Sequence, residues 1–254
     1  MAGCAMQGGC DDGHCIIFSD APPDEGAYCD PLPPNAATRA TGTVRSLSTQ
    51  VAAAGASVAI APALQAVTNP SGAMPILFDT TDGAGEFDVT SAGPVESAIG
   101  LIALAQLDGF YLTGTTTAEP LEGNVYPPSN DVHDLWLVNN ADLDQWSALM
   151  QSDVEAAPYL PLGNLGGVVG LVRDPNGTPM SGVTVTPVRR LSQAVVRYVA
   201  GADVVDSETA ASGIFIIVNP GLAEEFTVQG PSGSATIVAL SAEGLVFAVA
   251  PVLP

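Results

Sequence analysis

Four carboxylates fall within ten residues, at Asp79, Asp82, Glu86 and Asp88. Ca²⁺ is a hard cation that takes roughly 6–8 oxygen ligands, so these side chains are candidate calcium ligands. Their spacing is not that of an EF-hand, and a solvated acidic turn has the same composition. A second chemically distinct cluster lies near the N-terminus. Cys4, Cys10, Cys15 and Cys29 are all the cysteines of the chain, set among Gly, Asp and Pro. Such a segment is too small and too polar to fold by burial alone, so it reads as a disulfide-stapled head whose pairing the sequence leaves open. Cys10, His14, Cys15 and Cys29 also form a donor set for zinc, though without the paired C-x-x-C knuckles of structural sites. Trp136 and Trp146 lie close enough in sequence to form a ligand-stacking platform, or to pack together in a core.

Catalytic chemistry is sparse. A reaction needs a nucleophile, acid, base or metal ligands gathered in one place. Histidine occurs only at positions 14 and 133. His133 has carboxylates beside it at Asp131 and Asp134 and no other obvious partner. No Gly-x-Ser-x-Gly elbow, His-Glu-x-x-His pair or phosphate loop is present. The absence of lysine removes Schiff-base chemistry. The composition points away from an enzyme. Ala2-Gly3-Cys4 matches the end of a bacterial lipobox, which offers lipidation at Cys4 as the alternative to a disulfide there.

The elements that would carry these residues are mostly strands. Val168 to Arg173 is apolar and β-branched, Asp174-Pro175-Asn176-Gly177 is turn chemistry, and Gly182-Val183-Thr184-Val185 resumes a strand. Further on, Ser207-Glu208-Thr209 precedes Gly213-Ile214-Phe215, and Val238-Ala239-Leu240 precedes Gly244. The same series occurs upstream. Gly42-Thr43-Val44, Gly55-Ala56-Ser57-Val58, Thr81-Asp82 before Gly85-Glu86-Phe87, and Ala103-Leu104 before Gly109 echo it in order. The first Gly and the Gly-x-Phe are 43 residues apart in both series, which are offset by 128.

This repeated pattern resembles the carboxypeptidase regulatory-like domain, a family with a transthyretin-type sandwich. The resemblance implies an all-β chain of two tandem Greek-key β-sandwiches with one short helix in the connection. Residues 1–37 would be the cysteine-rich head and Pro-rich linker, 38–118 the first sandwich, 119–165 the connector and 166–254 the second sandwich. The helix is expected over Asn140 to Gln151, capped by Asn140, with Leu143, Trp146, Leu149 and Met150 on one face. The final apolar strand, Leu245 to Ala250, is expected to offer an edge that another chain could pair with. In carboxypeptidases that carry this domain, catalysis resides elsewhere. The missing lysine also removes the Lys–Asn isopeptide crosslink of some pilin sandwiches that this fold resembles.

Charge narrows the partners. Six arginines face 27 acidic residues, giving a net charge of −21. Nucleic acids and anionic membranes both need a basic surface, which this chain lacks. Arg189, Arg190 and Arg197 make its only basic patch, suited to an acidic neighbour or to internal ion pairs. No apolar run approaches the roughly 20 residues of a membrane span. No signal-peptide pattern is visible at the N-terminus, which fits a leader already removed. These features lead to an expectation of a secreted or cell-surface structural or adhesion-type protein. It would assemble or be displayed through sandwich edges, as a homo-oligomer or filament or with other surface proteins. A non-catalytic glycan- or peptide-binding module is the alternative, and an outer-membrane lipoprotein the alternative placement.

Overall fold

The computed structural model describes residues 4–5, 9–10, 38–93, 95–97, 100–115, 125–126 and 128–254. Near the N-terminus, β1 (Cys4–Ala5) pairs antiparallel with β2 (Gly9–Cys10). Then follow β3 (Arg39–Ser46), β4 (Ser57–Pro62), β5 (Leu77–Thr80), β6 (Glu86–Thr90), β7 (Val95–Glu96), β8 (Leu101–Gln106), β9 (Thr113–Gly114), β10 (Val125–Tyr126) and β11 (Pro128–Leu137). The second half holds β12 (Val168–Leu171), β13 (Thr184–Pro187), β14 (Val195–Ala200), β15 (Asp203–Val205), β16 (Ile214–Val218), β17 (Glu224–Gln229), β18 (Ser234–Ala239) and β19 (Val246–Val249). A six-residue helix, α1 (Ala63–Thr68), follows β4, and α2 (Asn140–Leu149) follows β11.

The chain is all-β and forms two tandem sandwiches of matching topology. In the first, the sheet β11-β3-β6 lies on β5-β4-β8-β9. Val44, Phe87, Leu135 and Leu137 meet Val58, Ile60, Leu101 and Ala103 between them. In the second, β13-β17-β18 lies on β15-β14-β16-β12-β19, and Val185, Phe226 and Val228 meet Phe215, Ile217, Phe247 and Val249. β3 is flanked by antiparallel β6 and parallel β11, as β12 is by antiparallel β16 and parallel β19. The antiparallel series β4-β8-β9 has its counterpart in β13-β17-β18.

One short pairing joins the copies. β9 runs parallel to β19, with Thr113 opposite Val246 and Gly114 opposite Phe247. This makes a continuous nine-stranded sheet in the order β15-β14-β16-β12-β19-β9-β8-β4-β5. Leu104, Gly114 and Phe247 lie in one row of the joined sheet, and Ala105, Thr113 and Val246 in the next. The two three-stranded sheets therefore cover opposite faces of it.

Three expectations change. The final strand is no edge: β19 lies between β12 and β9 and all four of its residues are buried. An unbroken apolar run is what a strand covered on both faces requires, whereas a half-exposed edge would alternate. The helix begins where expected, but its cap is Asn139, whose side chain accepts a hydrogen bond from the Ala141 N–H at 2.8 Å. The segment expected as connector also supplies β11, which completes the first sandwich by pairing with β3.

Candidate functional site

A buried threonine organises the same turn in each sandwich. The Thr81 hydroxyl donates to the Ala53 carbonyl at 2.6 Å and accepts from the Ala56 N–H at 2.8 Å. Thr209 donates to the Met180 carbonyl at 2.8 Å and accepts from the Val183 N–H at 2.9 Å. Beside each node stands the glycine of the Gly-x-Phe pattern. Val44 N–H donates to the Gly85 carbonyl, and Val172 N–H to the Gly213 carbonyl. Both glycines have positive φ, +78° and +66°. A Cβ at Gly85 would sit 2.9 Å from the Val44 carbonyl oxygen, and one at Gly213 would sit 2.5 Å from that of Val172.

The four predicted calcium ligands border this turn, and the carboxylates of Asp79, Asp82 and Asp88 are already engaged. One Asp79 oxygen accepts from the Asp88 N–H at 2.9 Å and the other from the Thr80 N–H at 2.8 Å. Asp82 Oδ1 accepts from the N–H groups of Ala84 and Glu86. Asp88 receives a bidentate contact from Arg39, at 2.8 Å from Nε and 2.5 Å from Nη2. That contact holds the Asp88 carboxyl below the usual carboxylate range. Among the described residues no three acidic, histidine or cysteine side chains converge as a metal site. The carboxylates of Asp79, Asp82 and Asp88 thus already serve the turn, as backbone acceptors or as the partner of Arg39.

The two tryptophans are not a surface platform. Trp136 is 2 % exposed and Trp146 5 %, and both pack in one core cluster with Leu143, Met150, Val169 and Ile216. The helical spacing that suggested α2 also turns Trp146 inward. Arg173 lies over the Trp136 ring, 4.8 Å from its centroid. The same arginine reaches Asp134, as does Arg45, each at 3.8 Å. Asp134 of β11 thereby sits between an arginine of the first sandwich and one of the second. Arg197 belongs to no free basic patch. It binds Asp153 at 2.5 Å and Glu155 at 2.8 Å, tying β14 to the segment after α2. Cys15, Cys29 and His14 fall outside the described residues, as do the side chains of Cys4, Cys10 and His133.

Sheet edges differ in how well they are closed. β5 carries Asp79, β6 carries Glu86 and Asp88, and β15 has three residues and begins at Asp203. β13 ends in Pro187, and β11 starts at Pro128 with a register irregularity before Val132. Proline, charge, bulges and short length are the usual means of blunting an edge. β18, Ser-Ala-Thr-Ile-Val-Ala, has none of these, and among the described residues it pairs only with β17. Sequence reading missed this edge. Its signal was six uncharged residues in a strongly acidic chain.

A groove of about 740 Å³ lies over the first sandwich. Its floor is the face of β5, β4 and β8 turned away from β11-β3-β6. Phe78, Ala59 and Leu104 form one row across it, and Ser57 and Gln106 stand opposite each other in the next. Phe110 and Tyr111 flank it, with Asn140 and Asp144 of α2 and Asn164 at one end. The Tyr111 ring packs on Gly163, where a Cβ would come within 2.5 Å. Burial pushes the Tyr111 phenol up from its ordinary value. Among the described residues, Asp144 is the only carboxylate that lines the groove.

No family model matches the chain, and neither does any curated protein. Solved structures with detectable likeness include the shaft pilin SpaA of Lactobacillus rhamnosus GG, at 10 % identity and TM-score 0.26 over 86 % of this chain and 100 % of that one. A streptococcal ancillary pilin matches at 11 % identity and TM-score 0.23, over 89 % of this chain and 67 % of that one. The major pilin of Streptococcus pyogenes matches at 8 % identity and TM-score 0.22, over 86 % of this chain and 97 % of that one. At such scores the likeness does not bear on what this chain does. No helix among the described residues is long and apolar enough to cross a membrane.

Proposed function

We propose that this chain is a non-catalytic structural unit, secreted or displayed at a cell surface, that assembles through the edges of its sandwiches. The observation that carries this reading is the β9–β19 junction, an edge-to-edge docking of one sandwich on the other within a single chain. Backbone pairing braces a spacer built this way at its joint, which suits a load-bearing or display role. The cysteine-rich head supports an oxidising, extracellular setting. The repeated Thr and Gly nodes support the likeness to carboxypeptidase regulatory-like domains. Light scattering and electron micrographs of the purified chain, over a range of protein and salt concentrations, test the reading. Growth of defined oligomers or filaments is expected, favoured by salt because it screens the net charge. A monomer under all these conditions overturns assembly as the role.

A second reading rests on the groove. Its volume lies within the roughly 300–1,000 Å³ of ligand sites. It combines aromatic faces at Phe78, Phe110 and Tyr111 with the amides of Gln106, Asn140 and Asn164. That lining suits an uncharged oligosaccharide, which offers apolar ring faces and paired hydroxyls. A screen of neutral glycans against the wild type and Tyr111→Ala tests it. Saturable binding lost in the variant is expected, and absence of binding to the wild type ends the reading.

A further inference from the structure

We propose that β18 is a homodimer interface, pairing antiparallel with β18 of a second copy about a two-fold axis at Thr236. This rests on the assembly reading and names its partner.

The backbone fixes which groups face outward. The Gly230 N–H donates to the Gly233 carbonyl across the β17–β18 turn, and the Val188 N–H donates to the Glu225 carbonyl from the other side of β17. Glu225 stands opposite Val238, and Val228 opposite Ala235. In an antiparallel ladder, bonded and non-bonded pairs alternate. Ala235, Ile237 and Ala239 therefore spend their N–H and C=O groups on β17. Ser234, Thr236 and Val238 aim theirs away from it, toward an edge unpaired among the described residues.

This set is self-complementary. A two-fold axis at Thr236 brings Thr236 opposite Thr236 of the second copy and Ser234 opposite its Val238. Each outward residue meets another outward residue, so every facing pair can exchange both backbone bonds. Facing threonines are a favourable cross-strand pair. The merged sheet would run β13-β17-β18 and then the same three strands in reverse order.

Charge selects a second copy at this strand and not at another edge. Two chains of net charge −21 repel, and like charges placed opposite each other on paired strands are unfavourable. β18 has no charged side chain. The edges at β5, β6 and β15 would set carboxylates against carboxylates, and those at β11 and β13 include proline. The first sandwich shows what such an edge does when a partner is available. β9, the counterpart of β18, is docked on β19.

The experiment is sedimentation equilibrium of the full chain beside Thr236→Pro and Thr236→Lys. Proline at 236 removes one outward N–H and leaves every β17 bond in place. Lysine keeps the backbone but puts two cations at the axis. The expected result is a wild-type dimer, favoured by salt, with the dissociation constant raised at least tenfold in both variants and with melting of the dilute monomer unchanged. An assembled wild type that both variants leave intact overturns the β18 interface while the assembly reading stands. A wild type that stays monomeric at millimolar protein and high salt overturns both. Dimerisation that appears only after residues 1–37 are deleted also overturns the proposal, because the chain's own head would then be the occupant of the edge.

Discussion

The two sandwiches share a strand plan and a threonine node, yet they leave different surfaces uncovered. In the first, the last strand of the series, β9, is docked on β19, and the face around Ser57 and Ala59 is open as a groove. In the second, the corresponding strand β18 has an edge that is unpaired among the described residues. The equivalent sheet, β13-β17-β18, packs Val185, Phe226 and Val228 against Phe215 and Phe247 of the sheet facing it. A repeat conserves what the backbone must do, namely turn, pair and satisfy its donors. Function is set by the places where the copies differ, since sites and not folds carry activity.

The largest expected effect tests how alike the copies are. Gly213→Ala forces a left-handed backbone on alanine and drives its Cβ toward the Val172 carbonyl. Strain and overlap together should cost about 3 kcal/mol. Gly85→Ala meets the Val44 carbonyl at a longer distance and should cost about 2 kcal/mol. Urea unfolding of both variants measures the pair. A Gly85 variant more damaging than the Gly213 one would mean that the nearest backbone contact does not set the cost.

The next effect compares the nodes. Thr81→Val and Thr209→Val keep the side-chain shape and remove the hydroxyl, leaving a buried carbonyl and N–H short of a partner. Each should lose about 1–3 kcal/mol. The two losses should agree closely, because the same two bonds are broken in each copy and both threonines are buried. A loss confined to one copy would break the equivalence of the two turns.

These nodes also show what was legible in the sequence. Gly42, Gly85, Gly170 and Gly213 were visible because they recur at a fixed spacing, and at Gly85, Gly170 and Gly213 a Cβ would meet a close neighbour. Val44 and Val172 followed, as the strand residues beside them. The shared sheet was not legible. β9 is only Thr113–Gly114, too short to show any period, and its partner β19 is distant in sequence. β11 was hidden for another reason. Its segment falls in the stretch 119–165 expected as connector and begins at Pro128, although proline at the first residue of an edge strand is tolerated. The acidic turn was found but read for its charge. Its Asp79 and Asp82 carboxylates accept backbone N–H groups, a use that composition cannot separate from metal binding. The tryptophans were located but not their depth, because only the packing of α2 on β12 and β16 decides that.

The smallest effect separates two Arg–Asp pairs, one on each sandwich. Arg197 holds the Asp153 carboxyl below the usual carboxylate range through a side-chain hydrogen bond, and Arg39 does the same for Asp88. A carboxyl whose folded pKa is depressed contributes stability that is fully present above its unfolded pKa of about 3.9. That stability is lost as pH falls through the lower folded value. Both pairs therefore add to the acid limb of unfolding, below about pH 4. They should not add equally. The Arg197 side chain is 14 % exposed and Asp153 22 %, whereas Arg39 and Asp88 are 38 % and 56 % exposed, so water and salt screen the second pair more. Melting temperatures of Asp153→Asn and Asp88→Asn, taken from neutral pH down to about pH 2, compare them. Asp153→Asn should lower stability at neutral pH by about 1 kcal/mol or less and flatten the acid limb. Asp88→Asn should follow the wild-type profile more closely. If Asp88→Asn flattens the limb more, partial burial is not what gives the Arg197 pair its weight, and the tie between β14 and the segment after α2 contributes less than its geometry indicates.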